Sequence, residues 1–371
     1  MSVFGFAVDL GTTTIECCLV CMKDKTILER QNFPNPQSLY GSDIMNRIVA
    51  TIRNPQLLQV MKQAVASKLL SCFDNMIKKT GISAYEVHEI CICGNTTMVS
   101  ILLEHDISSL GVYPFDAILK QGVMCETTQI FGECGYTCPV YLSGCASAFI
   151  GGDILAGLYF LRKDDKDAFC NKTCLFLDLG TNGEMVLYDN GKYYGASTAC
   201  GPAFESCTRR QNVYGTTTID AICLGLLSHK IGEDGRLVSG NTSSVHIQGV
   251  TLTADILHQV LLAKAAICAG IFTLCDAAQI EAKQIETVYL AGGFGFYLNL
   301  DSAFSIGLLP SCMESKIKIL GNTSVLGAIS LLGLEDKNLV MHDLLIHILN
   351  FAELPAYQDL FISNMYFRRV S

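Results

Sequence analysis

Charge is scarce in this chain: only 16% of its 371 residues are charged, and no segment gathers lysine and arginine into a patch. With a net charge of −9 there is no surface suited to neutralising phosphates, so nucleic acid is not an expected partner. Nor is an anionic membrane surface. There is no low-complexity tract and no proline-rich linker. Half of the residues are apolar, which together with the low charge describes a well-buried globular protein and not a disordered one. No uninterrupted apolar run reaches the roughly 20 residues of a membrane span. The longest, around 260–278, is broken by Lys264 and Asp276 and reads as a buried helix. The N-terminus, MSVFGFAVDLGTTT, has no basic leader and carries Asp9 inside its apolar run, which speaks against a signal peptide and for a cytoplasmic location. The seven histidines show no ligand-like spacing.

Cysteine, by contrast, is abundant, at 18. A disulfide scaffold does not suit so long a chain without an export signal, so most of these thiols read as small buried apolar residues in a reducing cell, such as an anaerobe's. Cys18 and Cys21 have metal-site spacing, but on a strand they face opposite ways. Cys91 and Cys93 share a strand face without a second pair nearby. Cys134, Cys138 and Cys145 are the best group for a metal or cluster, and even there no cluster is expected.

The chain repeats a theme. Residues 3–10 read as a buried strand that turns through Gly11, Thr12 and Thr13 into a second strand. Residues 173–179 read as another buried strand, turning through Gly180, Thr181, Asn182 and Gly183 into Glu184 and beyond, with Asn190-Gly191 as a hairpin signal. Both turns are written Asp-Leu-Gly-Thr, one in each half, so two related domains are expected, 1–166 and 167–371. Helical periodicity fills 55–80, closed by Gly81, and 253–278, opened by Thr253 as N-cap. Strands alternating with helices point to an α/β fold in each half.

A tight Gly-Thr turn aims successive backbone N–H groups at one point and suits phosphate oxygens, with the threonine hydroxyls as further donors. Asp9 and Asp178, just before the turns, are placed to hold Mg²⁺ directly or through its waters. Glu184 is the candidate to position or deprotonate an attacking water; a strand carboxylate without chemistry is the alternative. Asn95, Thr96 and Thr97 are candidates to line the cleft, though an Asn-Thr helix cap explains them almost as well. Glu205 suits ribose or metal, or else a helix dipole. Arg209 and Arg210 read as a solvated pair, and the aromatics around Phe294 and Tyr297 as packing.

These two turns, followed by a strand entering Ala291-Gly292-Gly293-Phe294-Gly295, resemble the ASKHA superfamily of acetate and sugar kinases, Hsp70 and actin. The resemblance implies a two-lobed α/β fold with ribonuclease H-like mixed sheets, the first turn as phosphate-1 loop, the second as phosphate-2 loop, and Gly292, Gly293 and Gly295 as the adenosine motif. It also implies ATP and Mg²⁺ as ligands, with the nucleotide bridging the lobes and its hydrolysis changing their angle. A closer likeness rests on seven blocks in order: GNTTM (94–98), AFIGGD ending at Asp153, DLGTNGE (178–184), GPAFE (201–205, with Gly201), AKAAICAGI (263–271), YLAGGFGFYL (289–298) and GNTSVLGA (321–328). Together they resemble the ATP-binding portion of the reductive activators of corrinoid proteins. That implies an ATPase driving a cob(II)alamin protein to cob(I)alamin, and a homodimer.

Two departures qualify the inference. Typical members carry an N-terminal ferredoxin-like domain with a [2Fe-2S] cluster, whereas this chain starts at the first strand, so a separate ferredoxin-like electron donor is expected. The segment after Glu205 is also shorter than in the family, with 215–220 standing where a longer stretch begins a helix. The rival readings are a small-molecule kinase of the same superfamily and a non-catalytic nucleotide-dependent sensor.

Overall fold

The computed structural model describes residues 3–117, 119–166, 168–180, 182–200, 215–238 and 243–370. By contacts the chain divides into two compact units, one of Met1–Asp164 with Asn322–Leu345, the other of Asp165–Gly321 with Ile346–Ser371. A single division at 166/167 therefore meets a returning segment. The helix Thr323–Leu331 packs on the Gly152–Asp164 helix and on the first sheet, because its buried face, Val325, Gly327, Ala328 and Leu331, fits there. Gly327 lies so close to Ala156 that a Cβ would stand 2.1 Å from its carbonyl oxygen.

The first unit is built on strands β1 (Phe4–Leu10), β2 (Thr14–Cys21), β3 (Ile27–Pro34), β4 (Val87–Gly94), β5 (Val123–Glu126) and β6 (Pro139–Leu142), in the order β3-β2-β1-β4-β6-β5. The first three form an antiparallel meander; β4 and β6 run parallel to β1, and β5 is antiparallel at the edge. Helices cover the central strands on both faces, which is why β1 reads as a nearly continuous apolar run and every residue of β4 except His88 is buried. The Gln56–Thr80 helix ends at Gly81, whose φ of 73° closes it as a left-handed cap. It stacks Phe73 on Phe6 at 4.0 Å between ring centroids, with Tyr136 edge-on to both.

The second unit repeats this plan with β7 (Cys174–Leu179), β8 (Asn182–Asp189), β9 (Lys192–Ala199), a separate ribbon of β10 (Ser244–Ile247) and β11 (Val250–Thr253), then β12 (Thr287–Ala291), β13 (Ile317–Gly321) and β14 (Ile346–Ile348). The sheet order is β13-β12-β7-β8-β9-β14. Again a three-stranded meander is followed by parallel strands added beside its first member. Asn190 and Gly191 turn β8 into β9 with φ of 46° and 82°, as a type I′ hairpin requires. Thr253 caps the Ala254–Ala278 helix through its hydroxyl. This helix is long and apolar enough to cross a membrane by composition alone, but it is the core helix of its unit: Leu257, Ile267, Ile271 and Leu274 are fully covered.

Candidate functional site

In the first unit Asp9 stands on β1 opposite Glu16 of β2 and beside Cys93 of β4. Both of its carboxylate oxygens are held. Ser324 Oγ donates to Oδ1 at 2.8 Å and Asn322 Nδ2 to Oδ2 at 2.8 Å. The same Asn322 amide donates to Glu16 Oε2 at 2.9 Å. Burial raises the Asp9 carboxyl to about 7; the negative charge of Asp153 adds to the rise and that of Glu16 contributes less, while the two donors oppose it. Asp153, at the start of the Gly152–Asp164 helix, is itself raised to about 6 by burial.

The turn 11–13 lies directly beyond Asp9. Its carbonyls are tied from outside: Gly11 O accepts from Asn35 Nδ2 at 2.8 Å, Thr12 O from Arg47 Nη2 at 2.7 Å, and Thr13 O from Asn35 N at 2.8 Å. Asn35 and Arg47 are fully buried. Arg47 also holds Gly41 O and Gln37 Oε1, and burial lowers its guanidinium to about 10.

Asn95 and Thr96 are where a cap reading puts them. Asn95 accepts from Thr97 N at 3.0 Å at the head of the Thr96–Leu102 helix, and Thr96 Oγ1 donates to Ser147 O. They still adjoin the acids, because Gly151 lies against Thr96 N, Asn95 Cα and Asp153 Oδ1.

The second unit rebuilds the same corner. Asp178 pairs across the hairpin with Glu184 and lies beside Ala291 of β12. Gly180 N donates to Asn182 O at 2.9 Å across the turn that follows. Gly292 follows at φ 82°, where a Cβ would stand 2.5 Å from both Asp178 Oδ1 and Leu179 O. Gly94, after β4, sits on Leu10 O in the same way, its Cβ position also 2.5 Å away. In both units a glycine at or directly after the end of the strand parallel to the Asp-Leu strand therefore leaves no room for a side chain. Gly183 packs near Cys200 Sγ, Gly295 against Leu290, and Gly293 is exposed. Ser197 Oγ reaches Glu184 Oε1 at 3.5 Å, and the Glu184 charge adds to the burial that drives the Cys200 thiol upward. Phe294 belongs to the core, while Phe296 and Tyr297 are exposed.

The structure thus gathers Asp9, Gly11, Thr12, Thr13, Asn95 and Thr96 in one unit, and Asp178, Gly180, Asn182, Gly183, Glu184, Gly292, Gly293 and Gly295 in the other. Thr181, Gly201 and Glu205, with Arg209 and Arg210, lie outside the described residues. Glu16, Asp153, Asn322, Ser324 and Arg47 complete the first group without having been singled out as site residues. Asn322 and Ser324 stand in a quoted block, but nothing local in the sequence says that they reach back to Asp9. Among the described residues no three histidine, cysteine or acidic side chains converge as a metal-binding group. Cys134 and Cys145 spend their thiols on the carbonyls of Tyr136 and Leu119.

Two family profiles match the chain. One, the RACo middle region, covers residues 4–166; the other, the C-terminal ASKHA domain of RACo, covers 172–222 and 210–371. The chain belongs to the RACo family. It is 27% identical over 88% of its length to the corrinoid activation enzyme RamQ of Eubacterium limosum. It is 22% identical over 87% to the [Co(II) methylated amine-specific corrinoid protein] reductase of Methanosarcina barkeri. The solved structure of a reductive activator for a corrinoid, iron-sulfur protein superimposes on 99% of the chain with a TM-score of 0.85 at 25% identity. The chain spans 63% and 68% of the two relatives and 66% of the solved chain. The ASKHA fold with ribonuclease H-like mixed sheets, which the family resemblance implied, is the fold of this chain.

Proposed function

We propose that this chain is the ATP-binding and ATP-hydrolysing part of a corrinoid-protein activator, which couples nucleotide turnover to reduction of a cob(II)alamin protein by an external low-potential donor. Membership of the RACo family supports the partner class. The observation that carries the nucleotide reading is the duplicated corner: each unit sets an aspartate near the end of a buried strand, a glycine just beyond it (Gly11, Gly180), and a second glycine packed on the strand's last leucine carbonyl. Glycine at those points keeps side chains out of the way of a ligand approaching the turn. In the first unit the carbonyls of Gly11, Thr12 and Thr13 are fixed by Asn35 and Arg47, so a phosphate would be received by the amides and threonine hydroxyls.

Mg²⁺ fits the donor set. Two carboxylates, Asp9 and Asp153, both hold their protons more tightly than usual, chiefly through burial and at Asp9 also through the charge of Asp153, so a cation at Asp9 would favour its ionised form. Asp9 would hold the ion in the first unit, and Asp178 is the corresponding candidate in the corner of the second; the ion would supply charge neutralisation of the phosphates. Glu184, next to the phosphate-2 turn and across from Asp178, would orient or deprotonate the attacking water. A cytoplasmic location, a homodimer and a ferredoxin-like donor complete the proposal.

The test is ATP hydrolysis by the anaerobically purified protein, with and without a cob(II)alamin corrinoid protein and a low-potential reductant, while the cobalt spectrum is followed. Partner-stimulated hydrolysis with cob(I)alamin appearing, both abolished in Asp9→Ala, is expected. Tight ATP binding with neither stimulation nor a spectral change would refute it.

A further inference from the structure

Asn322 is the first residue of the segment that returns to the N-terminal unit, and its amide is committed at both ends. Its Oδ1 accepts from Val325 N at 3.0 Å as the N-cap of the Thr323–Leu331 helix. That bond decides which end of the amide is which, because only an oxygen can accept from a backbone N–H. The NH₂ group is therefore the end that faces the acids, and it reaches Asp9 Oδ2 at 2.8 Å and Glu16 Oε2 at 2.9 Å. One donor group bridges two carboxylates on neighbouring strands that would otherwise repel. Ser324, two residues on and 3% exposed, secures the other oxygen of Asp9 at 2.8 Å. With each oxygen held by a different side chain from one rigid helix start, the carboxylate plane has no freedom to rotate.

A second turn of the same kind lies in the same unit. Gly94-Asn95-Thr96-Thr97 and Gly321-Asn322-Thr323-Ser324 both follow strands and both open helices through an asparagine cap. Asn95 serves its helix, whereas Asn322 serves its helix and the acids together. Capping alone needs only an oxygen acceptor, so the NH₂ end of Asn322 has a second task.

We propose that Asn322 and Ser324 are positioning residues, which fix the carboxylate of Asp9 in the orientation the cation–phosphate site requires. This rests on the reading of Asp9 as a ligand of the nucleotide's metal. Side chains that orient a metal-ligating carboxylate through hydrogen bonds govern metal affinity and activity by about 10–100-fold when removed.

Serine caps helices as well as asparagine does but is too short to reach Asp9 and Glu16, so Asn322→Ser separates the two tasks. In this variant and in Ser324→Ala, affinity for Mn²⁺·ATP, read by electron paramagnetic resonance, should fall about tenfold. Affinity for metal-free ATP should stay near that of the parent, while the thermal midpoint should fall modestly, because the carboxylates lose a donor. A crystal structure of Asn322→Ser should show the Asp9 carboxylate turned from its present rotamer, with or without nucleotide. Parental Mn²⁺·ATP affinity in both variants, or an unmoved Asp9, would overturn the proposal. A parent protein that binds no Mn²⁺·ATP would instead sink the nucleotide reading of the site, and the Asp9 rotamer in the variant would still decide the positioning role.

Discussion

Substituting Asp9 by asparagine should make the cation-free protein more stable at pH 8, and the gain should vanish towards pH 4. Burial first, then the charge of Asp153, raises the Asp9 carboxyl from 3.8 to about 7. The folded state therefore binds this proton more tightly than the unfolded chain does. Between those limits the native protein carries more protons, so its stability falls as pH rises and the full cost of the charge is present above about pH 7. At about 1.4 kcal/mol per pKa unit the cost is at most about 4 kcal/mol. Asp9 is only partly covered at the surface, and solvent at its open edge should reduce that to roughly 2 kcal/mol. Asparagine has the same shape and keeps both contacts: its carbonyl accepts from Asn322 and its NH₂ donates to the Ser324 oxygen. For a unit of this size about 2 kcal/mol corresponds to a rise of roughly 4–8 °C in the thermal midpoint, measured in EDTA at pH 8 and again at pH 4.5. Asp153, raised to about 6 by burial, titrates below Asp9 and should do so in both proteins. An Asp9→Asn protein less stable than the parent at pH 8, or a gain independent of pH, would refute the electrostatic reasoning.

Gly292→Ala places a methyl group 2.5 Å from Asp178 Oδ1 and Leu179 O on a backbone at φ 82°. It should cost the second unit about 2–4 kcal/mol, read as a lower urea midpoint; an unchanged midpoint would show that the close approach is not obligatory. Lys337, 4% exposed, pairs with the equally buried Glu89 at 2.6 Å and ties the returning segment to the first sheet, where Gly333 N also donates to Glu89. Lys337→Met strands a buried charge and should destabilise by about 3–5 kcal/mol. The double variant with Glu89→Gln should recover most of this, and equal losses in single and double variants would argue against the pair.

Features written locally were legible in the sequence. The buried strands 3–10 and 173–179 stand out because a parallel strand covered on both faces is apolar without interruption. Gly81, Thr253 and Asn190-Gly191 act through their own backbone or the next turn, so cap and hairpin rules suffice for them. The repeated Asp-Leu-Gly-Thr turn, once doubled, implied the duplicated fold that the sheet orders show. The return of Asn322–Leu345 to the first unit was not legible. Its helix carries a buried face that would suit either sheet, and the choice is made by the close fit of Gly327 on Ala156 and by the Glu89–Lys337 pair, both of which join residues far apart in sequence.

The same distinction runs through the site. Asp9, Gly11 and Asp178 could be named because their chemistry lies within the turn itself. Arg47 and Asn35 could not, since they act on the turn only through its carbonyls, from a helix and a loop beyond β3. Asn322 is the sharpest instance. Its visible motif is a helix cap, and that cap is real, so the local role accounts for the residue and hides the distant one. The signal that a second role exists is the residue type at a cap, where serine, threonine, aspartate and asparagine are nearly interchangeable. Only asparagine both accepts from the helix and donates an NH₂ group away from it. Where such a cap follows a strand and its helix packs beside another strand that carries an acid at its end, the donor end has acids within reach, and Asp9 with Glu16 are those acids here.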